Sequence, residues 1–465
     1  MAISSDEMRE LAIALVIGLI SPVALAADAQ LLRLSDAITR ALAQNNDYLN
    51  LLSSIEGAEL DLEDARSEFR RQFYTRLDSD ARVGSELGKT FRSGMSQRFE
   101  GGSSWNLEFY NSDFGGNNLS EMRFSYSLPI FDDPLDSGTL DLRRAELDYQ
   151  HRERLATVGS EELIAQVASH YYQSVLARDS LQAADGETTL AKALANATRI
   201  RVRNGRSSAL DQSAAELRVA QANQRWNTAR SSLVSADNRL KIMLGMNIDE
   251  PFEIDPELPA VSDPSENLPE PEVTEALALA NRAELLRLGE EIDLARRKLQ
   301  TEPESRLPGL DVTLQFARVG EGEGFGDSMD LNENRVGIGL SMDMDVNGRR
   351  DITYRRILLF YKQRQRDYNR LSEDIRADVR NAVMNHREQV SQLGLARASL
   401  SLSEQRFKHA ELLYRSGKSS TEDVLEREQA LSESRQLERQ ARADYLIAGL
   451  EVKRVTGTLA KEYIP

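Results

Sequence analysis

The sequence predicts a mainly α protein with membrane β-structure. A long coiled-coil helical barrel carries a β-barrel shared between chains, and the chain is built from two internal structural repeats. Three observations predict this. Two very long proline-free helical stretches each reach a glycine and turn back. Several stretches of about ten residues alternate apolar and polar positions, as a half-lipid, half-water strand does. The second half of the chain also follows the plan of the first.

Composition narrows the field. The chain has 465 residues, 40% hydrophobic and 29% charged, and no apolar segment near the ~20 residues that a membrane helix needs. With no cysteine there are no disulfides, thiolate metal sites or cysteine nucleophiles, and no N-terminal cysteine to carry lipid. The four histidines (His151, His170, His386 and His409) do not pair at metal-ligand spacing, so no metal is expected. A net charge of −17 argues against nucleic-acid binding. No nucleophile–base–orienter cluster and no phosphate-binding glycine loop is present, so neither catalysis nor a cofactor is expected.

Residues 1–26 read as a signal peptide. Leu11–Ile20 is apolar but short, Ser21-Pro22 breaks it, and Ala24-Leu25-Ala26 fits the cleavage rule, so the mature chain begins at Ala27. Asp6, Glu7 and Glu10 against Arg9 depart from the usual positive start. The first repeat, 27–245, opens with a helix over Ser35–Arg70. A β-hairpin region, 73–131, follows, with strands over Thr75–Ser85 and Met122–Leu128. Phe91–Asn111 is additional to the plan and reads as an extra hairpin in or above the outer loop. A long helix then runs from about Gly138 to Asn204, and a returning helix covers Ser208–Met243.

Residues 246–272 hold Pro251, Pro256, Pro259, Pro264, Pro269 and Pro271 and no Lys or Arg, which makes an extended acidic connector. The second repeat, 273–465, opens with a helix over Val273–Leu299. Its β-hairpin, 309–346, pairs Leu310–Phe316 with Val336–Met344 across a Gly-rich acidic loop, Gly320–Asn334. The long helix Arg349–Arg415 and the returning helix Ser420–Val455 complete it.

The repeat rests on matched positions. Arg203-Asn204-Gly205-Arg206-Ser207-Ser208 is echoed by Arg415-Ser416-Gly417-Lys418-Ser419-Ser420, and at the same offset Asp211 falls on Asp423, Ala229 on Ala441, Lys241 on Lys453 and Gly245 on Gly457. Each long helix measures roughly 100 Å, which suits a tall cylinder and not a globule. Ala229, Leu233, Ala236, Leu240 and Met243, and likewise Ala441, Tyr445, Ala448, Val452 and Val455, keep the four–three spacing of a coiled-coil seam. Two hairpins cannot close a barrel in lipid, so several chains must share one.

In this order and duplication the sequence resembles the TolC-like outer-membrane efflux proteins. The marks are Leu34-Ser35-Asp36-Ala37 with Ala41-Leu42 and Asn45, Phe124-Ser125-Tyr126-Ser127-Leu128-Pro129-Ile130-Phe131, Leu307-Pro308-Gly309-Leu310, and the two Gly-x-x-Ser tips followed by Asp211 and Asp423. Arg71 and Asp345 stand where relatives often have proline. The resemblance implies a homotrimer in which each chain gives four strands to a twelve-stranded barrel in the Gram-negative outer membrane, in contact with its lipid. It also implies a helical tunnel in the periplasm that docks a periplasmic adaptor (membrane fusion) protein and an inner-membrane transporter of RND, ABC or MFS type. The function implied is a passive duct of a tripartite efflux or type I secretion system. A structural coiled-coil envelope scaffold or adhesin stalk is the alternative, and it has no need of amphipathic hairpins.

Gly205 and Gly417 end long helices where a left-handed residue is usual, Ser208 and Ser420 cap the returning helices, and Asp211 and Asp423 suit their positive ends. By resemblance these six are the adaptor-docking tips. Tyr414, Arg415, Asp423 and Glu426 are the implied tunnel gate, with Asp423 and Glu426 three apart on one helix face. Ser419 replaces a basic residue that some relatives carry there. Asp343-x-Asp345-x-Asn347-Gly348 imitates a calcium loop but has Tyr354 where the bidentate Glu belongs, so calcium is not expected.

Overall fold

The computed structural model describes residues 31–80, 88–113, 117–130, 137–205, 207–261, 269–301, 309–343, 348–416 and 421–463. The expected signal peptide lies outside them. Helix α1 (Leu34–Gln44) and helix α2 (Asn46–Ser67) precede the first strands, and the long α3 (Ser137–Arg203) and returning α4 (Ala209–Met243) follow them. The second half has α5 (Pro271–Asn281), α6 (Ala283–Thr301), a one-turn α7 (Phe325–Ser328), the long α8 (Arg349–Arg415), the returning α9 (Thr421–Val455) and a short α10 (Ala460–Tyr463). Both long helices have 67 residues and both returning helices 35.

Each opening helix is broken, where one unbroken helix over Ser35–Arg70 and another over Val273–Leu299 were expected. Asn45 is extended. Its side-chain oxygen accepts from the Tyr48 amide at 3.0 Å, capping α2, and its amide donates to the Met243 carbonyl at 3.0 Å. Arg282 is extended between α5 and α6, and the neighbouring Asn281 donates to the Thr456 carbonyl at 3.2 Å. Side-chain amides at both breaks thus tie the half-length α2 and α6 to the ends of α4 and α9.

The result is a layer of columns. α2 continues α4, and α6 continues α9. Arg178 of α3 meets Asp237 of α4 at 3.2 Å. On its other side α3 meets α9 through Asp179–Arg439 at 2.5 Å and Glu162–Arg454 at 2.8 Å. α9 then meets α8 through Glu438–Arg397 at 3.8 Å and Ser434–Ser403 at 2.8 Å. The order is therefore α2/α4, α3, α6/α9, α8. The four–three seam faces the neighbouring column: in α4 Leu240 is fully buried and most intervening positions are exposed, while α9, packed between two columns, buries Ala448, Val452 and Val455 and leaves no position between Ala441 and Val455 exposed.

The main core sits at mid-height, where Ile38, Ile164, Val167, Val175, Leu240, Leu244 and Leu459 are all buried. Tyr171 pins the stretch before α1 and the connector to it, its hydroxyl shared between the carbonyls of Leu32 at 3.0 Å and Asp255 at 3.2 Å. Within the connector, residues 251–261 are free of helix and Ile254 forms a parallel bridge to Leu32, but its last proline, Pro271, already opens α5.

The β-structure is one antiparallel sheet of β1 (Gln72–Asp80), β2 (Gly88–Arg98), β3 (Ser104–Asp113), β4 (Asn118–Pro129), β5 (Gly309–Gly322) and β6 (Glu333–Asp343), in chain order. This corrects the expectation of four strands per chain. The Phe91–Asn111 hairpin does not stand above the sheet. It is β2–β3, paired along its length between β1 and β4. The Gly320–Asn334 stretch is also more than a loop, since β5 runs on to Gly322 and α7 folds back, with Ser328 Oγ 2.9 Å from Ser120 Oγ.

Candidate functional site: helix tips and sheet faces

At the far end of the columns, Gly205 leaves α3 with φ +68, the left-handed conformation that costs an L residue about 1–2 kcal/mol. Ser208 then starts α4 with a reciprocal capping box. Its Oγ accepts from the Asp211 amide at 3.2 Å, and its own amide donates to the Asp211 carboxylate at 2.9 Å. That backbone donor holds the Asp211 carboxyl below the usual carboxylate range, helped by the Ser208 hydroxyl. The structure thus places these three tip residues in one turn, as expected.

The second tip is partly defined. Gly417, Ser420 and the Arg415 side chain lie outside the described residues. Asp423 and Glu426 are exposed, on one face of the first turns of α9. Tyr414, near the end of α8, is 46% exposed. Because α3, α4, α8 and α9 pack side by side, the first tip, the last turn of α8 and the first turn of α9 lie at the same end of the layer.

Sequence reasoning missed Leu210. It is 79% exposed, between the Ser208 cap and Asp211. The signal was an apolar residue directly behind a polar cap at a solvent-facing turn.

At the opposite end the sheet has two unlike faces. Register places Phe73, Met95, Leu107, Phe124, Phe316 and Val336 in one row across all six strands. Strand alternation puts Ile338, Leu340 and Met342 on the same face, and Val336 and Ile338 are 79% and 77% exposed. The neighbouring row on the other face is Tyr74, Gly94, Glu108, Arg123, Ala317 and Arg335. There Tyr74 donates to Glu108 at 2.7 Å, Arg123 pairs with Glu121 at 2.8 Å, and Arg335 pairs with Glu333 at 3.0 Å. Tyr74 also lies across Gly94, where a Cβ would come within 2.6 Å of its ring. An apolar face backed by a charged, hydrogen-bonded one suits lipid on one side and water on the other. Among the described residues, no helix is long and apolar enough to cross a membrane, and no acidic or histidine cluster is arranged for a metal.

The sequence profile of the outer membrane efflux proteins matches residues 96–246 and 276–458, most of both halves. The chain belongs to the outer membrane efflux protein family. Solved structures share its fold. The Campylobacter jejuni CmeC outer membrane channel superposes with a TM-score of 0.69 at 15% identity, covering 92% of this chain and 86% of that one. The Vibrio cholerae outer membrane protein VceC gives 0.66 at 14% identity, over 91% of this chain and 96% of that one. The open state of the Neisseria gonorrhoeae MtrE outer membrane channel gives 0.65 at 16% identity, over 92% and 89%. No curated protein sequence matches significantly. The TolC-like resemblance therefore holds, and the family is one of channels, not enzymes.

Proposed function

We propose that this outer membrane efflux protein is the passive duct of a tripartite export system, working as a homotrimer. Its sheet lies in the outer membrane and its columns reach through the periplasm. Its tips dock a periplasmic adaptor, which links it to an inner-membrane transporter of RND, ABC or MFS type. The observation that carries this reading is the polarity of the molecule along its length: an apolar sheet face at one end, and the exposed capped turn at Ser208 at the other end of helices roughly 100 Å long. A scaffold or adhesin stalk would account for the helices but leave that sheet face without a purpose.

The docking surface in this reading is Gly205, Ser208 and Asp211 with Gly417, Ser420 and Asp423. Leu210 adds an exposed apolar contact among them. Tyr414, Arg415, Asp423 and Glu426 form the gate, in which three copies of Asp423 and Glu426 gather carboxylates around one axis. Equal helix lengths and the matching Asn45 and Asn281 ties support a chain of two repeats divided by residues 246–272. The experiment is a photoreactive residue at Leu210 in living cells. An adduct with a periplasmic adaptor is expected, and adducts with this chain alone would refute docking at the tips.

A further inference from the structure

The extra hairpin changes the size of the pore, an inference that rests on the three-copy reading above. The hairpin is integral to the sheet. Its turn reaches down to the helices, where the Glu100 carbonyl accepts from Thr139 Oγ1 at 2.9 Å. Its faces are in phase with the rest: Phe91, Met95, Leu107 and Phe109 fall on the apolar side, and Arg92, Glu108 and Tyr110 on the polar side. Arg92 lies over the Tyr110 ring at 5.4 Å, so even its polar contacts join the inner face.

The width of the sheet can be set against the wall it continues. Four helical columns at interaxial spacings of 8–10 Å make roughly 32–40 Å of wall per chain. A strand spaced about 4.8 Å from its neighbour and tilted about 40° takes up about 6.3 Å of circumference. Six strands then span about 38 Å and four only about 25 Å. Six strands therefore continue the helical wall at constant width, whereas four would draw it in by about a third.

We infer that three copies close an eighteen-stranded barrel, with β6 of one copy paired to β1 of the next, and not a twelve-stranded one. The backbone radius is then about 18 Å against about 12 Å for twelve strands. With side chains filling about 5 Å, the open radius is about 13 Å against about 7 Å. The barrel is no constriction. It admits solutes too bulky for a twelve-stranded pore, and selection by size falls to the tips.

The structure also supplies the control. Carried through β2 and β3, the register sets Leu77 level with Ser120 and Phe73 level with Phe124, on the same face. Deleting Gly88–Asp113 therefore lets β1 pair directly with β4, antiparallel and with faces in phase. The test is polymer exclusion in planar bilayers on assemblies shown by native mass to hold three chains, with neutral polymers of graded size added on the sheet side alone. Polymers up to a hydrodynamic radius of about 12 Å should lower the wild-type conductance, but only those below about 7 Å that of the deletion variant. A three-chain wild type whose cut-off lies near 7 Å overturns the inference and leaves the channel reading intact; this arm decides even if the variant fails to assemble. Absence of conductance, or of any three-chain species, overturns the channel reading itself.

Discussion

Two glycines with nearly the same backbone angle should respond very differently to the same substitution. Gly245 has φ +66 and Gly205 has φ +68. At Gly205 an added Cβ meets nothing within 4 Å, so Gly205→Ala carries only the left-handed penalty of about 1–2 kcal/mol. At Gly245 the Cβ would stand 2.3 Å from the Gln44 carbonyl oxygen and 2.7 Å from its carbon, at the joint where α4 abuts α1. The neighbour there is backbone, so the joint must move, and overpacking of that kind adds about 1–3 kcal/mol. Gly245→Ala should therefore cost about 2–5 kcal/mol in all. The assay is thermal dissociation of the solubilised assembly, read beside its yield in the outer membrane. Gly205→Ala should shift the midpoint slightly, and Gly245→Ala should lower it much further. Adding Gln44→Ala should not rescue Gly245→Ala, because the closest atoms are main chain. If the two glycine variants dissociate alike, close packing at this joint does not hold the columns in line.

The remaining predictions concern the tips, the gate and acid. Gly205→Val with Gly417→Val should leave assembly in the outer membrane normal and abolish export in a cell-based efflux assay; normal export would mean the tips do not dock the adaptor. Asp423→Ala with Glu426→Ala should lower cation preference, read as reversal potential in a salt gradient. The difference should shrink as the Debye length falls from ~10 Å at 0.1 M to ~3 Å at 1 M salt, and no change at low salt would place these carboxylates outside the duct. His386 is buried beside the Tyr445 ring, 5.2 Å between centroids, and burial lowers its pKa below the usual value. The unfolded chain then binds the proton first, so stability falls as pH drops through about 6.5 toward the folded pKa. His386→Gln should reduce the difference in thermal midpoint between about pH 5.5 and 7.5, and an unchanged difference would show that this imidazole does not carry the acid sensitivity.

The parts of the fold that local chemistry decides were legible in the sequence. The long helices end within a residue of their expected limits, and at the first of them a left-handed Gly205 and the Ser208–Asp211 capping box leave little choice. The seam from Ala229 to Met243 was legible because its spacing is itself the packing rule. Two features were not. Gln44-Asn45-Asn46 lies between helical patterns that run on across it, and the cap at Asn45 becomes decisive only once its amide finds the Met243 carbonyl, a distant residue. The β2–β3 hairpin has no counterpart in the second half, so it read as an addition to a four-strand plan. Its alternating faces were visible, but its place between β1 and β4 depends on long-range pairing. Of the candidate sites, the first tip is defined by its own hydrogen bonds. A gate depends on contacts between copies, which no pattern within one chain specifies.

The central claim is that the sheet end faces outward through the outer membrane and the tips face the periplasm. The chain has no cysteine, so one introduced thiol reports one place. Asn117, at the exposed sheet end before β4, and Leu210, at the tip, are the two positions to compare. The measurement is labelling of intact cells by a maleimide on a polymer too large for general porins. Asn117→Cys should be labelled in intact cells and Leu210→Cys only after the outer membrane is permeabilised. Protection of both thiols in intact cells, or labelling of the tip alone, would contradict the account.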